Sequence, residues 1–154
     1  MTLEIRKATP EDFERMRPLM EEWISESNPD GLKFDPEAER LIDTFAKLAA
    51  LPNCATIVML KDGLLIGCVG LIRHGWGACK TENFATENLW YVSRKYAGYS
   101  RNLISAAKQW AIENDCDYLT FSTNRLSSSR AEHGDEFLAA IGFRPLYGLH
   151  IMEV

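Results

Sequence analysis

The stretch from Glu87 to Ala111, "ENLWYVSRKYAGYSRNLISAAKQWA", limits the possible folds of this chain more than any other. It opens on Leu89, Trp90, Tyr91 and Val92, aliphatic and aromatic residues that suit a strand. It closes with Leu103, Ile104, Ala107, Trp110 and Ala111, spaced to form one face of a helix. A further apolar run, "DYLTFST", follows. Strand, helix and strand in this order form a parallel crossover, because parallel neighbours need a long connection between them. The expected class is therefore α/β or α+β, a layered sheet with helices packed on it.

The flanking segments extend that sheet. "LEIRKA" reads as a first strand, and "TPEDFERMRPLMEEWI" as one helix with Thr9 as N-cap, Pro10 at its first position and an apolar stripe of Phe13, Met16, Met20, Trp23 and Ile24. After the loop "SESNPDGLKF", a second helix is expected to start from Asp35 before Pro36, with Leu41, Ile42, Phe45, Leu48 and Ala49 on its buried side. "ATIVML" and "LLIGCVGLI" are joined by Lys61, Asp62 and Gly63, a hairpin signal that makes them antiparallel neighbours. The small, polar loop "RHGWGACKTENFAT" leads to the strand "ENLWYV". Near the end, "NRLSSSRAEHGDEFLAAIGF" runs from a polar loop into a short helix stopping at Gly142, and "FRPLYGLHIMEV" closes as strand. The order is β-α-α-β-β-β-α-β-α-β, in a single domain spanning residues 1–154.

Composition narrows the partners. With 154 residues, 46% hydrophobic, 25% charged and a net charge of −5, the chain has the makeup of a globular domain without a broad basic surface. Nucleic acid is therefore not the expected partner. Four cysteines, Cys54, Cys68, Cys79 and Cys116, show no paired spacing, and three of them lie in or beside apolar runs, which reads as free thiols in a reducing cytoplasm and no metal site. The charged start lacks a signal-peptide core, and no apolar run approaches the roughly 20 residues a membrane span needs. A cytoplasmic protein without membrane contact is expected.

A strand feeding a helix through a short Gly-containing turn aims backbone N–H groups and the positive end of the helix dipole at one point, and phosphate binds there. Around Gly98 the turn also carries Arg94, Lys95 and Arg101, a local cationic cluster on an acidic chain. Three basic residues on a solvated surface are the plainer reading, and the turn alone does not separate the two.

The wider pattern does. "KYAGYS", Lys95 to Ser100, resembles the acetyl-CoA loop of the GNAT superfamily of acyl-CoA-dependent N-acyltransferases, usually Arg/Gln-x-x-Gly-x-Gly/Ala. The resemblance extends over the strand and two helices at the start, "KDGLLIGCVG", "LWYV", "AAKQWA" and "AAIGFRPLYG", whose Ile141, Gly142 and Phe143 match the family's helix-to-Gly-Phe signature. "ATENLWYVS" and "LKFDPEAERLIDTFAKL" are most similar to small bacteriophage members, which would place the protein in the host cytoplasm. It implies a central mixed sheet of about six or seven strands with about four helices. It also implies acetyl-CoA as cofactor and an amine as acceptor.

Carried onto this chain, the resemblance places the pantetheine arm against Trp90, Tyr91 and Val92. The diphosphate falls on Lys95, Tyr96, Ala97, Gly98, Tyr99 and Ser100, with Arg101 beside them. Lys95 and Ser100 depart from the family pattern, Tyr96 stands two positions before Gly98 where an arginine is usual, and the path from Val92 to the loop is shorter than usual.

Acyl transfer from a thioester to an amine needs a base for the ammonium proton, polarisation of the carbonyl and a proton for the leaving thiolate. Glu87 is the first candidate base, at a position where related phage sequences carry Glu, and Glu82 the second. A strand-edge solvated carboxylate is the alternative for Glu87. The family's usual acid, a Tyr five residues before the Phe of the signature, is Leu138 here, which leaves His133 and Tyr147 as substitutes. His74 could face the acceptor; His150 alternates with apolar neighbours and reads as structural. Trp76 suits an acceptor wall, whereas Trp23 and Trp110 suit the core. The acidic "EEWISES" stretch, with Glu82 and Glu87, favours a cationic acceptor, either a small-molecule amine or a protein lysine. The subunit is expected to be a monomer or a homodimer. Two other readings stand beside the enzyme: a CoA-binding module of this fold without turnover, and a phage Mom-type DNA-modification enzyme, faintly suggested by "LWYVS", "SRNLIS" and "AEHGDEF".

Overall fold

The computed structural model describes residues 1–27, 35–75, 77, 81–123, 133–146 and 152. Among these, five strands form one sheet in chain order: β1 (Leu3–Lys7), β2 (Cys54–Lys61), β3 (Leu64–Gly75), β4 (Asn83–Val92) and β5 (Tyr118–Thr120). The first four pair antiparallel, and β5 joins β4 in parallel. The helices are α1 (Pro10–Arg15), α2 (Arg17–Glu26), α3 (Ala38–Ala50), α4 (Ser100–Glu113) and α5 (Gly134–Ala140), and a 3-10 stretch, Arg94–Tyr99, precedes α4. The expected crossover is thus β4, α4, β5. The sheet has five strands rather than six or seven among the described residues; much of the expected closing strand, with Tyr147 and His150, lies outside them, as do Trp76 and Cys79.

The β2–β3 hairpin turns on Asp62 and Gly63, both with positive φ (50° and 80°). That conformation suits the two-residue turn whose twist matches paired strands, and glycine adopts it without strain. The first helix differs from expectation: it breaks at Met16 into α1 and α2. Pro18 causes the break, because it brings no N–H to bond backwards and its ring crowds the carbonyl one turn earlier. The next helix also starts later than Asp35–Pro36 suggested, at Ala38 with Glu37 as N-cap.

Two cores flank the sheet. On one face Ile57, Met59, Ile66, Val69, Leu71, Ala85 and Val92 pack against Leu103, Ala107 and Trp110 of α4. On the other, Val58, Leu60, Leu65, Cys68 and Tyr91 pack against Met16, Met20, Trp23 and Phe45. β2 and β3 are covered on both faces, which explains their continuous apolar runs. α3 lies so close to β3 that a Cβ on Gly70 would come within 2.6 Å of a Leu48 methyl. The Thr56 hydroxyl, buried between these layers, donates to the Phe45 carbonyl and ties α3 to β2. Each fully buried Leu or Met here contributes about 1.5–3 kcal/mol. Of the expected stripes only Ala49 turns outward.

Candidate active site

The site begins where β4 and β5 part. Their pairing covers Phe84–Tyr118, Ala85–Leu119 and Thr86–Thr120, and then β5 ends while β4 continues to Val92. The gap opens beside a β-bulge: Leu71 of β3 faces Glu87 and Gly70 faces Leu89, so Asn88 is an extra residue. A bulge changes which side chains share a face. In an unbroken strand Glu87 and Trp90 would point to opposite faces. Here both lie on the α4 face, opposite Leu71 and Val69. The same ladder sets the backbone. Ser93 N–H bonds to the Ile66 carbonyl at 2.8 Å. By the alternation of an antiparallel pair, the peptide groups of Trp90 and Val92 therefore turn away from β3, towards the gap.

Glu87 and Trp90 meet on one residue beyond β5. The Ser122 N–H donates to Glu87 Oε1 at 2.8 Å, its hydroxyl donates to the same oxygen, and its carbonyl accepts from Trp90 Nε1 at 3.2 Å. Glu87 is only 8% exposed. Burial raises its pKa, and the two Ser122 donors partly offset this by favouring the charged form. A carboxylate with raised proton affinity at a strand gap suits a general base working near neutral pH. Edge-to-face packing supports Ser122: Trp90 meets Phe121 at 5.5 Å, and Phe121 meets Phe143 at 5.8 Å. The Phe of the Gly-Phe segment is thus a prop under the end of β5.

The turn after β4 is more tightly tied than a free loop. Glu22 of α2 accepts from the Arg94 N–H at 2.8 Å and from the Ser93 hydroxyl at 3.1 Å, and Tyr96 N–H bonds to the Ser93 carbonyl at 2.7 Å. One carboxylate of the acidic "EEWISES" stretch is therefore spent on this turn. Arg94, Lys95, Ala97, Gly98 and Arg101 are exposed, and a Cβ built on Gly98 meets nothing within 4 Å. Tyr96 and Tyr99 lean towards the core, with Lys61 Nζ over their rings at 5.4 and 5.0 Å and Lys95 Nζ 5.4 Å from the Tyr96 ring. The hydrogen bond to the Tyr99 hydroxyl, chiefly, favours the charged form of Lys61. Ser100 donates its hydroxyl to the Ala97 carbonyl at 2.8 Å.

The other predicted residues scatter. Tyr91 and Val92 bury their side chains in opposite cores. Glu82 precedes β4 at the end away from the turn, where the Thr81 hydroxyl donates to it at 3.3 Å. His74 is exposed on the face opposite Glu87; its Nε2 lies 2.7 Å from Thr86 Oγ1, and its ring stacks on Phe84, which in turn meets Tyr118 at 5.0 Å. His133 is the exposed N-cap of α5, and Leu138 is buried. Trp23 and Trp110 are core residues. Sequence reasoning missed Ser122 and Glu22. The polar alternation of Thr120 and Ser122 in "DYLTFST" was a signal for Ser122; the link from Glu22 to Arg94 spans 72 residues and left no local mark.

Among the described residues no helix is long and apolar enough to cross a membrane. Comparison with solved structures matches the whole fold at low identity. The aminoglycoside N-acetyltransferase AAC(6')-Iy, solved with a CoA-linked bisubstrate analogue, shares 16% identity over 100% of this chain and 99% of its own, with a TM-score of 0.73. The same enzyme in complex with CoA gives 14% identity, coverage of 99% and 95%, and a TM-score of 0.75. A ribosomal-protein-alanine N-acetyltransferase from Brucella melitensis biovar Abortus 2308 gives 14%, coverage of 100% of both chains, and 0.73. No curated protein matches the chain in sequence. The family model for the acetyltransferase (GNAT) family matches residues 17–133, which takes in every element from α2 to α4, the β4–β5 gap and the basic turn, and the chain belongs to that family.

Proposed function

We propose that this protein transfers the acetyl group of acetyl-CoA to an amine by direct attack, with Glu87 as the proton acceptor. The observation that carries the reading is the Glu87 carboxylate, buried at the fork of β4 and β5 and held there by Ser122 alone among the described residues. The chain's own groups fit the cofactor: a β4 that runs on past its last described pair with β5, with the Trp90 peptide group turned to the gap, open space over Gly98, and exposed Arg94, Lys95 and Arg101 for a diphosphate. Bound there, acetyl-CoA supplies the thioester. Glu87 would take the ammonium proton, the freed amine would attack the thioester carbonyl as the C–S bond breaks, and the nitrogen's second proton would pass to the departing CoA thiolate, leaving the amide and free CoA thiol, while a gap-facing N–H would stabilise charge on the carbonyl oxygen.

The acceptor is a cationic small-molecule amine or a protein amine, the two classes acted on by proteins of similar fold. The likeness to bacteriophage members, and with it a host-cytoplasm location, rests on the two quoted segments. A second reading, a CoA-binding module without turnover, is favoured by Leu138, buried where the family's proton-donating Tyr is expected. Thiol release from acetyl-CoA over a panel of aminoglycosides, polyamines and peptides with free α- or ε-amines decides between them. Release with at least one amine, lost in Glu87→Gln, supports the enzyme; bound CoA with no release for any amine supports the module. A gel shift on duplex DNA at low salt tests the DNA-modifying alternative.

A further inference from the structure

We propose that Ser122 is the positioning residue of the base: its double donation to Oε1 holds the Glu87 carboxylate across the gap and leaves Oε2 as the atom that takes the acceptor's proton. This rests on the reading of Glu87 as base. Among the described residues both hydrogen bonds to the carboxylate fall on Oε1, one from the Ser122 N–H at 2.8 Å and one from its hydroxyl. An oxygen with two donors is a poor proton acceptor, so the other oxygen takes that role. Ser122 is itself fixed, because Trp90 Nε1 donates to its carbonyl and Trp90 packs edge-on against the adjacent Phe121. In the step served, an ammonium N–H bond breaks and an O–H bond forms at Oε2. The carboxylate becomes neutral, and the lone pair left on nitrogen attacks the thioester.

Among the described residues, few other groups act on this carboxylate. On the same face of β3, Arg73 is engaged with the Cys116 thiol. α4 presents Leu103, Ala107 and Trp110 to the sheet. Beyond β5, Thr123 donates to Asp135 at the start of α5, next to the exposed His133. Ser122 is exposed, so removing its hydroxyl opens no hole in the core.

The test compares Ser122→Ala and Ser122→Thr with the parent protein by two readouts. The first is the Glu87 carboxyl titration, followed by NMR on protein labelled at glutamate carboxyl carbons and assigned by the signal missing in Glu87→Gln. The second is the pH profile of kcat/KM. Ser122→Ala should raise the titration midpoint and the acidic limb together by roughly 0.5 to 1 pH unit and lower kcat about three- to tenfold, and Ser122→Thr should restore both. An unmoved titration in folded Ser122→Ala, or no restoration by threonine, overturns the proposal while leaving Glu87 as base. Full activity in Glu87→Gln overturns the base itself, and the positioning role with it.

Discussion

The base role proposed for Glu87 and its effect on the fold are opposed, and one substitution separates them. Burial holds its pKa above that of an exposed glutamate, with the Ser122 donors offsetting only part of the effect. The native state therefore keeps its proton to higher pH than the unfolded chain, and stability falls as pH rises through the window from the unfolded value, about 4.3, to the native one. At neutral pH the charged carboxylate is a net cost to the fold. Glu87→Gln should accordingly raise the melting temperature at pH 7 or leave it unchanged, while lowering kcat by roughly 100-fold and removing the acidic limb of the pH profile. Calorimetry beside steady-state kinetics checks both; full activity in Glu87→Gln with loss in Glu82→Gln would move the base to the segment before β4. Gly98 separates fold from binding in a similar way. A Cβ there meets only open space, so Gly98→Val should change the melting temperature little yet raise the Kd for acetyl-CoA at least tenfold, because the new side chain occupies the space a diphosphate needs. Equal loss of stability and binding would make the turn purely structural.

At the scale of elements, the first strand and first helix are joined by a buried charge. Asp12 is 1% exposed, pairs in bidentate fashion with Arg6, and accepts from the N–H and hydroxyl of Thr9 at 2.7 and 3.1 Å. Burial alone would raise its pKa, but Arg6 and Thr9 more than offset that and leave it below the usual carboxylate range. The stabilisation is therefore fully present above the unfolded value, about 3.9, and is lost as pH falls through the lower native value. Acid titration of the melting temperature should show that loss below about pH 4 in the parent protein and a flatter curve in Asp12→Asn, whose stability at pH 7 drops by about 2–3 kcal/mol. An identical acid response in both would mean the pair is not coupled to folding. Elements whose signals are local were legible in sequence: Asp62 and Gly63 dictate the hairpin, the apolar stripe dictates α4, and the length of the connection dictates the parallel crossover. Pro18 falls inside the segment expected as one helix, where a proline in the third turn breaks the ladder, and Asp35–Pro36 imitates a helix start that forms at Ala38. The active-site region was legible as a strand and turn but not as a geometry. The extra residue Asn88, which brings Glu87 and Trp90 to one face, shows itself only when β3 supplies a register, and Ser122 acquires its role only when β5 ends beside the bulge.

Among the described residues the molecule is a sheet between two helical layers, α1 to α3 on one face and α4 on the other, and β4 runs on past its last pair with β5. A ligand lying in the gap beside Trp90 and reaching the turn before α4 would add contacts to the native state that the unfolded chain cannot make. Stabilisation then follows by mass action: at 100 times its Kd, acetyl-CoA should add about 2.7 kcal/mol. For a chain of this size that corresponds to a rise in melting temperature of roughly 5 to 10 °C. The parent protein, Glu87→Gln and Gly98→Val form the informative set. Glu87→Gln should keep the full shift, since the role proposed for it is in proton transfer, whereas Gly98→Val should lose most of it. CoA without the acetyl group should give a similar rise, because in the proposed site the turn and β4 would meet the diphosphate and the pantetheine arm rather than the acyl group. Inorganic pyrophosphate at equal concentration should give far less, having no arm to lie in the gap beside Trp90. A protein that melts cooperatively and shows no shift with acetyl-CoA or CoA up to millimolar concentration does not bind this cofactor at the fork, and the gap would then be a feature of the family's fold without its ligand.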